Sequence, residues 1–199
     1  MTAVIDYGAG NLFSVKNALD ALEIPGRITS DPGEISAADR LILPGVGAFP
    51  DIMAMLERKG LTELLRREAE KKPFLGICLG MQVLFEEGEE FAVTRGLGLL
   101  PGRVEKICAL GLKIPHMGWN ELVFQNECPL LSGVPEGSSV YFVHSFRAAP
   151  REEHLAAWTQ YGEKIPALVF RGHIFGAQFH PEKSGAVGLR ILKNFCELR

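Results

Sequence analysis

Phe74-Leu75-Gly76-Ile77-Cys78-Leu79-Gly80-Met81-Gln82 is an apolar run that ends in a cysteine with a glycine two residues to either side, followed by helix-forming residues. This is the pattern of a nucleophile elbow, in which a buried strand turns sharply into a helix and exposes one reactive side chain. Side chains at 76 and 80 would collide across so tight a turn, so glycine is needed there. Cys78 would then sit at a helix N-terminus, where free N–H groups and the backbone dipole favour the attacking thiolate. Taken by itself, the segment also fits a buried strand that merely ends in a cysteine.

A hundred residues on, Gln178-Phe179-His180-Pro181-Glu182-Lys183 supplies the other two groups that thiol chemistry needs. A cysteine nucleophile requires a base to take its proton and a third group to orient that base. Pro181 keeps His180 out of the helical region, so the segment is extended or turned. In an extended segment residues i and i+2 project to one side. Glu182 can thus hold one imidazole nitrogen while the other faces Cys78. The apolar run Ile174-Phe175-Gly176-Ala177 delivers His180 from a buried strand rather than from a solvated loop.

With these residues the chain resembles the class I glutamine amidotransferases, a family with a Cys-His-Glu triad. The likeness extends through Leu43-Pro44-Gly45-Val46-Gly47-Ala48-Phe49, where the family places its oxyanion loop, and covers essentially the whole chain. The resemblance implies a flavodoxin-like α/β fold in a single domain, 1–199, with a mixed central sheet flanked by helices. It implies Cys78 as nucleophile, His180 as base and acid, and Glu182 as the group that holds the imidazole tautomer. Leu79 N–H, with Gly45, Val46 or Gly47 N–H, would form the oxyanion hole. Gln82, Ser145 and Phe146 would contact the substrate glutamine. Related subunits often carry tyrosine where this chain has Phe146, so no hydroxyl bond is expected there.

Three further stretches narrow the resemblance to the glutaminase branch that serves imidazole glycerol phosphate synthase in histidine biosynthesis. They are Asp6-Tyr7-Gly8-Ala9-Gly10-Asn11, Pro115-His116-Met117-Gly118-Trp119-Asn120 and Tyr141-Phe142-Val143-His144-Ser145-Phe146. That branch implies a heterodimer with a separate (β/α)8-barrel cyclase subunit, facing Asn11, Trp119, Asn120, Tyr141 and Lys183. Trp119, in what reads as a Met-Gly-Trp-Asn turn, is the expected anchor, with a half-buried core tryptophan as the alternative. Ammonia at neutral pH is mostly non-nucleophilic ammonium, so a shielded route to the partner is implied. A glutaminase for another synthase, such as one making pyridoxal phosphate, and a non-catalytic regulatory subunit both remain open at this point.

Composition sets bounds around that reading. The chain has 199 residues, 47% of them hydrophobic and 23% charged, with a net charge of −3. It is long enough for one well-buried domain and has no general pull toward nucleic acid or anionic lipid. The start shows no signal-peptide pattern, and no segment reaches transmembrane length, so a reducing cytoplasm is expected. Cys78, Cys108, Cys128 and Cys196 have no C-x-x-C spacing, so neither a metal site nor a disulfide framework is implied. Gly8-Ala9-Gly10 begins like a dinucleotide loop, but Phe13 stands where the third glycine belongs, and no cofactor is expected. His116, His144, His154 and His173 lack metal-ligand spacing and read as structural or solvated.

Along the chain, apolar strands alternate with amphipathic helices in the first half. Leu12, Val15, Leu19 and Leu22 recur at helical spacing before Pro25-Gly26. Helices are expected near 51–56 and 61–70, and the one after the elbow to about residue 87. From Gly102 onward shorter segments follow, at 103–108, 141–144, 155–159, 167–171 and 174–178, with Arg171-Gly172-His173 as a hairpin turn. Val187, Ile191, Phe195 and Leu198 share one face of a C-terminal helix. Strand–helix alternation followed by hairpins predicts a mixed sheet with helices on both faces.

Overall fold

A computed structural model describes residues 1–109 and 111–198. The first half alternates strands and helices: β1 (Thr2–Ile5), α1 (Leu12–Ala21), β2 (Gly26–Thr29), α2 (Pro32–Ala37), β3 (Arg40–Gly45), α3 (Phe49–Arg58), α4 (Thr62–Ala69), β4 (Phe74–Cys78) and α5 (Leu79–Gln82). Strands dominate thereafter: β5 (Phe85–Gly88), β6 (Thr94–Arg95), β7 (Leu100–Lys106), β8 (His116–Glu121), β9 (Val123–Phe124), β10 (Ser139–His144), β11 (Phe146–Pro150), β12 (Leu155–Tyr161), β13 (Glu163–Arg171) and β14 (Ile174–Ala177). Helix α6 (Gly185–Glu197) closes the chain.

Among the described residues the main sheet runs β2-β1-β3-β4-β14-β13-β12-β9. Its β2, β1, β3, β4 and β14 are parallel, and β14, β13, β12 and β9 pair antiparallel. Alternation along the parallel strands divides the core in two. Ala3, Ile5, Leu41, Leu43 and Phe74 pack with α2, α3 and α4. Val4, Ile42, Leu75 and Ile77 pack on the other face with Val15 and Leu19 of α1 and Ile191 and Phe195 of α6. Period-two side chains buried on both faces are what a covered parallel sheet requires. The expected hairpin is present, with Arg171 opposite Ile174 across Gly172-His173.

Two expectations are corrected. The helix after the elbow does not reach residue 87; it ends at Gln82, and β5 begins at Phe85. The Val83 carbonyl accepts from Leu97 N–H, and the Leu84 carbonyl from Leu99 and Leu100 N–H, so pairing with a distant segment displaces the helical bonds. The Met117–Asn120 region is not a turn but part of β8, paired antiparallel with β10 so that Trp119 stands opposite Tyr141. Alternation turns Met117 and Trp119 outward, and His116 inward.

Among the described residues the other strands form two smaller sheets, β8 with β10 and β11-β7-β5-β6. Within the main sheet the register sets Gly45 opposite Cys78 and Ala177 opposite Ile77. Three neighbouring parallel strands therefore finish together, and the loops from their C-terminal ends meet at one place, where open α/β sheets form crevices.

Candidate active site

Cys78 is the last residue of β4 and adopts φ 54°, ψ −113°, a conformation that side chains rarely accept. The surrounding glycines make it possible. A Cβ at Gly76 would stand 2.4 Å from the Gly80 carbonyl oxygen, and one at Gly80 only 1.8 Å from that of Leu43. A Cβ at Gly45 would meet the Gly80 nitrogen at 2.2 Å. The elbow is thus pressed against β3 without room for side chains. Helix α5 is a single turn, so it contributes unpaired first-turn amides rather than a long aligned dipole. Leu79 holds the first of these, directly after the sulfur.

His180 follows β14 by three residues and is anchored through its backbone. Its N–H donates to the Tyr141 carbonyl at 2.9 Å, and its carbonyl accepts from the Ser184 hydroxyl at 2.7 Å. The same hydroxyl accepts from Tyr141 N–H at 3.0 Å. Pro181–Lys183 forms a 3-10 turn that folds Glu182 back, so the i, i+2 contact is made by turning rather than by extension. His180 Nδ1 lies 2.8 Å from Glu182 Oε1, with the two side chains 3% and 0% exposed. Nε2 is left buried without a hydrogen-bond partner. Burial disfavours the imidazolium, but the Cys78 sulfur and then the Glu182 carboxylate favour it more, and the His180 pKa is pushed up to about 9.

Cys78 and His180 line one cavity of about 400 Å³, together with Leu79, Val46 and Gly47 from the expected oxyanion elements. Gly45 is not among the residues lining it and is buried against Leu79 and Gly80. Val46 N–H is directed at the Tyr7 hydroxyl, 3.4 Å away, rather than at the sulfur. Burial pushes the Tyr7 phenol up to about 12, against the pull of that amide and with a further push from Cys78. Gly47 has φ 97° and open space around it.

Gln82, Ser145 and Phe146 also line the cavity. Gln82 Nε2 donates to the Phe146 carbonyl at 2.9 Å and to Gln178 Oε1 at 3.0 Å. Gln178 Nε2 in turn approaches Cys78 Sγ at 3.9 Å. Of the residues expected to face a partner, Asn11 and Lys183 stand at the cavity and Trp119 is 59% exposed, with its ring 6.1 Å from that of Tyr141. Asn120 lies beside Trp119, its side chain bonded to Gln160 O at 3.0 Å.

Glu90, His144 and Gln178 also stand at the site, although sequence reasoning did not single them out for it. Glu90 lines the cavity and accepts from Phe49 N–H at 2.8 Å; in a run of glutamates nothing local distinguishes it. His144 directly precedes Ser145, and Gln178 stands two residues before His180, which are the signals the chain offers.

Residues 3–198 match the family described as glutamine amidotransferase class-I. The chain is 53% identical over 198 residues to "Imidazole glycerol phosphate synthase subunit HisH" of Moorella thermoacetica, covering 98% of this chain and 94% of that protein. It is equally 53% identical over 199 residues to the subunit of that name from Streptococcus sanguinis, covering 99% and 96%. Among solved structures, PurLQS from Thermotoga maritima superposes with a TM-score of 0.76 at 21% identity, covering 98% of this chain and 96% of that one. A structure described as a glutamine amidotransferase does so with the same score and identity, covering 98% and 97%. At such identity these two speak for the fold alone.

Proposed function

The chain belongs to the class I glutamine amidotransferase family, and from that membership we propose that it is the glutaminase subunit of an imidazole glycerol phosphate synthase in histidine biosynthesis. The observation that carries the chemistry is the strained Cys78 elbow sharing one cavity with a buried His180–Glu182 pair. Cys78 attacks the side-chain amide carbon of glutamine. His180 holds the thiol proton and gives it to the departing ammonia, leaving a glutamyl thioester that water hydrolyses to glutamate. Glu182 fixes the proton on Nδ1 and keeps Nε2 turned to the reaction. Leu79 N–H, directly after the nucleophile, receives the oxyanion, and a second donor comes from the Val46–Gly47 segment once its amide leaves Tyr7. Such a donor is worth roughly 3 kcal/mol in other enzymes. The Glu90 carboxylate at the cavity suits the substrate ammonium.

The ammonia passes to a cyclase subunit, a (β/α)8 barrel, docked over Asn11, Trp119, Asn120, Tyr141 and Lys183. That subunit joins it to a phosphorylated ribulosyl-formimino nucleotide, releasing imidazole glycerol phosphate and an aminoimidazole carboxamide ribotide. We place this heterodimer in the cytoplasm; among the described residues no helix is long and apolar enough to cross a membrane. The test is glutamine hydrolysis by the purified chain with and without the cyclase and its nucleotide. The expected result is slow hydrolysis alone, strong stimulation in the loaded complex, and loss of both in Cys78→Ala. High turnover by the chain alone contradicts the gating through Val46, and no turnover under either condition contradicts the function.

A further inference from the structure

His144 is buried at the cavity wall, yet the reaction above does not use it. Its Nδ1 lies 2.7 Å from the Phe146 carbonyl oxygen. A carbonyl only accepts, so the ring proton is on Nδ1, and Nε2 of the neutral ring is a bare acceptor. That acceptor faces His116 Nδ1 at 3.0 Å, which must therefore carry the His116 proton. His116 Nε2 is left to accept, with Asn120 Nδ2 3.5 Å away. One carbonyl thus dictates the direction of every bond back to β8. Burial keeps both rings uncharged. It lowers His116 to about 4, and it lowers His144 to about 3, opposed by the Phe146 carbonyl and helped by His116 and His180. The His116 ring is stacked between Phe142 and Tyr161, at 4.7 and 4.0 Å between centroids.

At the inner end of this array, the Phe146 carbonyl also accepts from Gln82 Nε2. The second Nε2 proton goes to Gln178 Oε1. Both donors of the Gln82 carboxamide are spent on protein. Its Oε1 has no partner among the described residues, on a side chain that lines the cavity. The array leaves an acceptor, not a donor, for a ligand.

We propose that His144, held by His116, is a positioning residue for the substrate: it fixes the Phe146 carbonyl, and that carbonyl turns the Gln82 carboxamide so that its oxygen receives an N–H of glutamine. This rests on the glutaminase reading. Without His144 the carbonyl loses one of two donors, and the Gln82 amide is free to rotate its NH2 group into the cavity, where it repels the substrate's own donors.

The experiment combines steady-state kinetics of the complex with the cyclase and alkylation of Cys78 by two reagents. One is a glutamine-shaped diazoketone, which needs the pocket; the other is iodoacetamide, which needs only the thiol. His144→Leu is expected to raise the KM for glutamine about tenfold, as loss of one hydrogen bond at a substrate contact does, with a much smaller change in kcat. Diazoketone labelling should slow by a similar factor and iodoacetamide labelling should not. His144→Asn, whose amide nitrogen takes the place of Nδ1, is expected to restore most of the KM, and His144→Gln is not. An unchanged KM in His144→Leu overturns the proposal, as does equal slowing with both reagents and no rescue by asparagine, which marks a purely structural role. If His144→Leu does not fold, the comparison of His144→Asn with His144→Gln decides, and equal KM values overturn the proposal. Failure of the diazoketone to label the unaltered chain instead overturns the glutaminase reading itself.

Discussion

His180 is the residue through which pH acts on this site. Its pKa stands at about 9 against an ordinary 6.5, because the Cys78 sulfur and the Glu182 carboxylate outweigh the cost of burying a cation. A folded-state pKa above the unfolded one stabilises the fold fully below 6.5, and that contribution fades as pH rises through 9. We expect an NMR titration of the His180 ring with a midpoint near 9, lowered in Glu182→Gln. Stability measured by chemical denaturation should fall between pH 6.5 and 9, with a weaker fall in His180→Gln. An unchanged midpoint in Glu182→Gln would show that the carboxylate does not hold the ring. Cys78, His180 and Glu182 stand out in the sequence because glycine and proline punctuate the residues around them. Glu90 does not, since nothing beside it in the chain says that it faces the same cavity, and His144 is marked only by adjoining Ser145.

At the scale of elements, the β4–α5 elbow depends on glycines that do different things. Gly80 has no room for a Cβ against the Leu43 carbonyl, whereas Gly47 has space but a φ of 97°. Gly80→Ala is therefore expected to lose more than about 3 kcal/mol or to fail to fold, because backbone must move. Gly47→Ala should cost only about 1–2 kcal/mol, the strain of a left-handed alanine. Equal losses in urea denaturation would contradict this division. The glycine spacing makes the elbow legible in the chain itself, since a turn that tight is a local steric matter. The end of α5 is not legible there. Val83-Leu84-Phe85 suits a helix or a strand, and the bonds from residues 97–100 decide for the strand side.

For the whole molecule, the question is what covers the outward face of β8. Met117 and Trp119 are 60% and 59% exposed there, beside the Asn120 end of the histidine array. Trp119→Ala is expected to weaken association with the proposed cyclase partner by about 2 kcal/mol, roughly thirtyfold in Kd. Iodoacetamide labelling of Cys78 in the isolated chain should be unaffected. An unchanged Kd would place the partner elsewhere. The amino-acid sequence by itself determined the alternation of strands and helices, the elbow and the residue types of the proposed triad, because each follows from spacing between near neighbours. The tertiary structure decided that β14 lies against β4, which brings His180 to Cys78 across a hundred residues. It also decided that β8 is a strand, that the Val46 amide points to Tyr7, and that two neutral histidines lead from β8 to Gln82. Those outcomes depend on which distant groups share a buried space and must satisfy one another there, and no local pattern carries that information.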